Sequence, residues 1–310
     1  MSDAVTIRDV RAVAPVTAAE LLAMDLPPRE MLFDPVIPTS GLVLLYGPRG
    51  MGKTYVALSI AYAVASGGGA LRWQAPKPRR VLYLDGEMPA ATLKERLRAL
   101  VLANDRRPPD DEFLRFLPAD LFELGLPNIA SEEGRALIKR CSADVDLVIL
   151  DNLSCLASGM RENEADDWQP MQDVLLSLRR AGVAVLTVHH AGKGGQQRGT
   201  SRREDVMDTV IALRRPGDYE PQQGARFAVH LEKARGITGD GAIPFEARLT
   251  EAEGGGLAWV VADLATAQRD RALTLLAEGL SLRDVAEETG LSKSAVHRIK
   301  RANGADDARH

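Results

Sequence analysis

The chain has 310 residues, 45% of them hydrophobic and 26% charged, with a formal net charge of −4. This is the composition of an ordinary globular protein with room for a core domain and a small module. It argues against a protein coated all over with nucleic acid, while leaving local basic surfaces open. The opening MSDAVTIRDVRAVAPVTAAE lacks an apolar leader. No segment approaches the ~18 consecutive apolar residues of a membrane span, so the expectation is a cytoplasmic chain with no membrane partner. Cys141 and Cys155 show no CxxC spacing, which gives no reason to expect zinc or a disulfide framework.

In chain order, residues 1–40 read as a proline-punctuated lead-in with strand-like pieces near Met31–Val36. From Gly41 to about Ser201, short β-rich runs (LVLLYG, RVLYLD, FLRFLP, DLVILD, VAVLTV) alternate with helical stretches such as KTYVALSIAYAVAS and WQPMQDVLLSLRRA. Near-continuous apolar strands alternating with helices predict an α/β fold whose mainly parallel sheet is covered on both faces. From Thr209 to Leu264 the texture changes to strands without helices, expected to extend the sheet or form a hairpin extension on its edge. A short Ala/Thr-rich joint is expected after Leu264, then helices to Asn303. The expected domains are thus a lead-in over 1–40, an α/β core domain over 41–264, a small all-α module over 265–304 and a tail over 305–310.

GPRGMGKT, running from Gly47 through Pro48, Arg49, Gly50, Met51, Gly52 and Lys53 to Thr54, fits GxxxxGK[ST] after a strand and before a helix. There the glycines let backbone N–H groups wrap a phosphate at a helix N-terminus, Lys53 reaches the β- and γ-phosphates and Thr54 helps hold Mg²⁺. ATP and Mg²⁺ are therefore the expected cofactors. Asp151 ends the apolar run DLVILD, where a Mg²⁺-associated carboxylate belongs. A group that orients water is also needed, and RVLYLDGEMP offers Asp85 and Glu87. Spacing alone does not choose between them.

Taken in order, GPRGMGKT, LYLDGEMP, VILDNLS, VLTVHHAGK followed by GTS, and EKARG resemble the hexameric RecA/DnaB-like P-loop ATPases, most closely plasmid replicative helicases of the RepA type. The resemblance covers about Gly41 to Arg235. It implies a RecA-like core and favours Glu87 as catalytic base. His189 and His190 stand at the strand end that touches the γ-phosphate in that family; strand alternation allows only one of them to face it. The acid-free basic loop beyond, with Lys193, Arg198, Arg202 and Arg203, takes the place of the loop that lines a central channel and grips single-stranded DNA. Lys233 and Arg235 match the K-x-R pair that enters a neighbouring subunit's ATP site, which implies a homo-oligomer of hexameric type. MRENEADDW, residues 160–168, reads as a solvated loop without an assigned role.

RDRALTLLAEGLSLRDVAEETGLSKSAVHRIKR reads as three short helices of helix-turn-helix type. Gly279 ends the first, Ser281 and Ser292 cap the next two, and Leu282, Val285 and Ala286 pack against Leu291, Val296 and Ile299. The third helix carries Lys293, His297, Arg298, Lys300 and Arg301 and no acid, the pattern of a duplex-DNA contact surface. The appended module departs from the plasmid helicases. The reading is therefore an oligomeric Mg²⁺-dependent ATPase acting on DNA, either a ring helicase or translocase of a plasmid or mobile element, or an ATP-switched, site-specific duplex-binding regulator. A small-molecule kinase has little support, because the basic loop would go unused.

Overall fold

The computed structural model describes residues 14–158, 165–191 and 202–307, with side chains at 165–167, 202–203 and 304–307 outside the description. The chain divides into two units, Met1–Glu30 and Met31–His310. Of the first unit the description covers one short helix, α1 (Ala18–Ala23), closed at its start by a reciprocal Thr17–Glu20 capping box. Where the sequence suggested a lead-in to residue 40, the second unit begins at Met31.

β1 (Met31–Phe33) and β2 (Ile37–Pro38) pair antiparallel, and Phe33, Val36 and Ile37 sit fully buried in the core. Phe33 meets Trp73 edge-on at 6.1 Å between centroids, and Trp73 meets Phe245 edge-on at 5.4 Å. Each such pair adds about 1 kcal/mol beyond area burial, so residues 31–38 are tied to both ends of the unit rather than leading into it.

Among the described residues the central sheet has nine strands. Its first three in chain order are β3 (Leu42–Gly47), β6 (Val81–Asp85) and β7 (Leu114–Pro118); β4 (Gly69–Ala70) and β5 (Trp73–Gln74) form a separate small hairpin. β8 (Leu147–Asp151) and β9 (Ala184–His190) complete the parallel group, and β10 (Thr209–Arg214), β11 (Arg226–Ala234), β12 (Phe245–Glu251) and β13 (Leu257–Asp263) follow. The order is β13-β12-β11-β10-β3-β9-β8-β6-β7. β10 through β7 run parallel, and β11 to β13 extend the sheet antiparallel, as the helix-free texture of that stretch predicted.

Period-two alternation divides the core into two layers. Val43 and Leu45 of β3 face one layer with α2 (Lys53–Ser66) and α3 (Ala90–Leu102); Leu42, Leu44 and Tyr46 face the other. That second layer is closed by α4 (Glu132–Cys141), α5 (Leu153–Leu156) and α6 (Ala165–Arg180). α2 is buried on nearly every side, as a helix apolar all round must be. A short α7 (Arg202–Asp205) precedes β10. Among the described residues no helix is long and apolar enough to cross a membrane.

The carboxyl-terminal helices are α8 (Leu264–Ala277), α9 (Leu282–Thr289) and α10 (Lys293–Asp307). Two expectations need correction here. No joint follows Leu264: α8 grows directly out of β13 after Asp263, because Ala265 and Ala267 favour helix over linker. Nor does the last helix stop at Asn303; it runs on to Asp307. The internal packing matches the sequence reading: Ala272, Val285 and Val296 form a small core with Leu282, Ala286, Leu291 and Ile299 around it, and Ser281 accepts the Asp284 N–H.

Candidate functional site

The phosphate loop occupies the turn from β3 to α2. Gly50 and Gly52 take φ of +68° and +98°, in the region that favours glycine. Gly52 is the N-cap of α2 and no side chain caps it, so the first amides of a buried helix face the loop. Lys53 turns back over the loop and its Nζ donates to the carbonyls of Gly47 (2.9 Å) and Pro48 (2.8 Å). Burial lowers the Lys53 ammonium from the ordinary lysine range to about 8, against the opposing pull of Asp151 and Glu87. Arg49, Gly50, Met51 and Gly52 line a cleft of about 660 Å³, of the size a nucleotide requires, while the Met51 side chain anchors the loop in the core.

The other polar groups arrive on neighbouring strand ends. Register sets His190 beside Gly47, and Asp85 beside Asp151, all at the carboxyl edge of parallel strands, where α/β sheets bind ligands. Asp151 is buried; it accepts from the Tyr83 hydroxyl at 2.7 Å and from the Thr54 hydroxyl, and burial raises its carboxyl above the usual range. The predicted metal pair, Thr54 and Asp151, is thus assembled. Among the described residues no three of His, Cys, Asp and Glu gather to hold an ion by themselves.

Asp85 and Glu87 differ in their hydrogen bonding. Asp85 Oδ1 accepts the N–H of Glu87 (3.0 Å) and of Met88 (2.6 Å), so Asp85 is spent on the turn that presents Glu87. Burial pushes the Asp85 carboxyl up to about 6. Both acids line the cleft, and the Glu87 carboxylate accepts from the Asn152 amide and lies 3.9 Å from His190 Nε2. The histidine pair divides as well. His190 shares the alternation of Leu186 and Val188, on the α2 side, and lines the cleft; His189 is buried in the sheet beside Tyr46.

Sequence reasoning missed Asn152, whose Oδ1 caps α5 while its Nδ2 holds Glu87. A polar residue directly after a strand-ending aspartate was the available signal. It also missed Thr92 and Arg96, one helical turn apart on α3 and both lining the cleft, with Arg96 stacked over Tyr55 at 4.8 Å. Arg215, which donates to the Gly50 carbonyl at 3.1 Å, carried no signal at all.

Lys233 and Arg235 stand apart from this cleft. Lys233 donates to the carbonyls of Glu204 and Asp205, and Arg235 to that of Asp205 at 3.2 Å. Val210 opposite Lys233 lies beside Leu44, so the pair sits toward the edge of the sheet remote from its own phosphate loop. Of the loop cations, Lys193 and Arg198 lie outside the described residues, as do the side chains of Arg202 and Arg203, and so does most of the 160–168 loop. On α10, Lys293, His297, Arg298, Lys300 and Arg301 are all exposed.

A glycine-rich loop on a buried helix, a strand-end acid bound to the loop threonine, and a second acid across the cleft define a P-loop NTPase with a RecA-like core and a carboxyl-terminal helix-turn-helix. The model of the AAA domain family matches residues 8–196, more than half of the chain, and the chain belongs to that family. The IclR helix-turn-helix domain model matches residues 271–301, the segment that folds as the small three-helix core. Among solved structures, the crystal structure of a KaiC-like protein from the hyperthermophilic archaeon Pyrococcus horikoshii is similar. It is 17% identical with a TM-score of 0.52, over 75% of this chain and 99% of that one. That likeness establishes the fold: a mostly parallel sheet between helices. The protein thus joins a nucleotide-binding P-loop ATPase domain to a DNA-binding helix-turn-helix.

Proposed function

We propose that the protein is an oligomeric, Mg²⁺-dependent ATPase acting on DNA, in the manner of the RepA-type ring helicases and translocases that its motifs resemble. The observation that carries the enzymatic part is the division of labour between two acids two residues apart. Asp85 is consumed as a turn cap, and Glu87 is held by Asn152 and His190 with its carboxylate open to the cleft. Glu87 is therefore the group that orients and deprotonates the attacking water. Lys53 and the amides of Gly50–Thr54 hold the β- and γ-phosphates, and Thr54 and Asp151 hold the metal through its waters. Bound Mg²⁺ neutralises charge on the transferred phosphoryl group. His190 donates toward the γ-phosphate side of the cleft. Lys233 and Arg235, remote from their own cleft, complete that of the adjacent subunit.

The basic loop of Lys193, Arg198, Arg202 and Arg203 grips single-stranded DNA, and α10 meets duplex DNA through Lys293, His297, Arg298, Lys300 and Arg301. A second reading is favoured by the exposed basic face of α10 on an IclR-type module: an ATP-switched regulator that binds a duplex site without unwinding it. Strand displacement on forked DNA separates the two. ATP-driven unwinding supports the motor, and duplex binding with slow turnover supports the switch.

The catalytic assignment is tested by Glu87→Gln, which keeps shape and hydrogen bonding but removes the base. Turnover should fall by about 10²–10⁴, with nucleotide affinity retained in an equilibrium binding measurement. Undiminished turnover would refute the role of Glu87.

A further inference from the structure

The connection between β10 and β11, residues Arg215 to Ala225, touches both functional regions. At one end Arg215 Nη2 holds the Gly50 carbonyl at 3.1 Å. Ala225 packs so closely on Gly52 that a Cβ there would come within 2.8 Å of the Ala225 Cβ. At the other end Gly217 abuts the end of α9, where a Cβ would come within 2.6 Å of the Glu288 carbonyl oxygen. Beside it the Asp218 carboxylate, 2% exposed, pairs with Arg271 of α8 and accepts from Arg226 Nη1 at 2.6 Å. Arg226 in turn grips Glu246 of β12 through two bonds, at 2.7 and 3.1 Å.

The loop is also braced across its middle. The Arg215 guanidinium lies 3.6 Å above the Tyr219 ring, and the Tyr219 hydroxyl donates to the Gly224 carbonyl at 3.0 Å. One side chain that holds the phosphate loop is thus stacked on a residue next to the aspartate that holds the helix-turn-helix.

We propose that residues 215–225 couple the nucleotide site to the DNA-binding module: Arg215 is a positioning residue of the phosphate loop, and Asp218 with Gly217 passes the state of that loop to α8 and α9. The inference rests on the assignment of Gly47–Thr54 as the ATP site and adds how that site is regulated. A phosphate held by the loop amides acts on Gly50 and Gly52, the two residues this connection touches. Braced by Arg215, Tyr219 and Gly224, the connection has little slack to absorb such a shift, because close-packed contacts transmit displacement rather than damp it. The carboxylate at the far end is buried and holds Arg271 of α8 in an ion pair, so α8 follows it: breaking a buried pair costs more than moving the helix with it. Linkage makes the effect reciprocal, so DNA on α10 alters nucleotide affinity by the same factor that nucleotide alters DNA affinity.

The test uses the full chain, hydrogen exchange read by mass spectrometry, and a non-hydrolysable ATP analogue with Mg²⁺ whose binding is measured separately. In the unaltered protein, saturating analogue should change exchange of the α8 and α9 amides by a factor on the order of 5–150, the usual span of allosteric coupling. Arg271→Met removes the link to α8 but leaves Asp218 paired with Arg226. It should bind the analogue and lose the response in α8 and α9. Arg215→Met, at the opposite end, should lose the same response. An unaltered protein that binds the analogue with no change in α8 and α9 overturns the coupling, as does a full response in either variant. Absence of analogue binding in the unaltered protein overturns the ATP-site assignment itself, and the coupling with it.

Discussion

At the scale of single residues, the cleft works by assigning neighbouring polar groups to different tasks. Asp85 and Glu87 are both acids that line the cleft, yet Asp85 is tied to two backbone N–H groups of the turn while Glu87 accepts from a side-chain amide. His189 and His190 are adjacent, yet only His190 lines the cleft. Burial in this environment also bears on the protonation of Lys53. Its folded value of about 8 lies below the ordinary 10.5, so the folded chain binds fewer protons than the unfolded chain between those values. In the absence of nucleotide, stability therefore rises with pH across that window. Phosphate binding calls for the charged ammonium, so above about pH 8 binding must take up a proton. Nucleotide affinity should then weaken by up to tenfold per pH unit, with proton uptake visible by calorimetry in buffers of differing ionisation enthalpy. Affinity independent of pH from 7 to 9.5 would show that Lys53 stays charged throughout.

At the scale of elements, strands deliver the chemistry and helices seal it. β3, β9, β8 and β6 place Gly47, His190, Asp151 and Asp85 along one edge, and the bare amino end of α2 closes the phosphate loop. α10 is the other element with an exposed purpose. Its basic side chains should neutralise backbone phosphates, each contact contributing about 0.9 to the slope of log affinity against log salt. Replacing Lys300 and Arg301 by Ala should flatten that slope by ~1.8 on a mixed-sequence duplex, read by fluorescence anisotropy. Folding should be untouched, because both residues are exposed. An unchanged slope would place the duplex elsewhere.

At the scale of the whole molecule, the proposed joint active centre turns on Lys233 and Arg235. Both lean on the carbonyls at the end of α7, at the edge of the sheet away from their own phosphate loop. Under the shared-site reading, Lys53→Ala and Arg235→Ala are each silent alone, the latter losing about 10³–10⁵ in rate while still binding ATP. Mixed together they should recover turnover, because a Lys53→Ala subunit still offers Arg235 to a neighbour whose phosphate loop is intact. Failure of the mixture to recover, or a full rate from a strictly monomeric protein by mass measurement, refutes a joint active centre.

Much of this was legible in the chain itself. GPRGMGKT, the strand ending in Asp151 and the basic final helix are local patterns, because a phosphate loop, a strand terminus and a helix face are each built from residues close in sequence. Parity was not legible. Strands buried on both faces are apolar at every position, so nothing local said that Val81, Tyr83 and Asp85, or Leu186, Val188 and His190, turn toward α2. Only packing against that helix settles it. Proximity across the fold was equally hidden: Asn152 reaches Glu87 from 65 residues away, and Arg215 reaches Gly50 from 165. Such contacts depend on strand order and loop closure, which the tertiary structure decides because the sheet, and not the chain, sets which ends become neighbours.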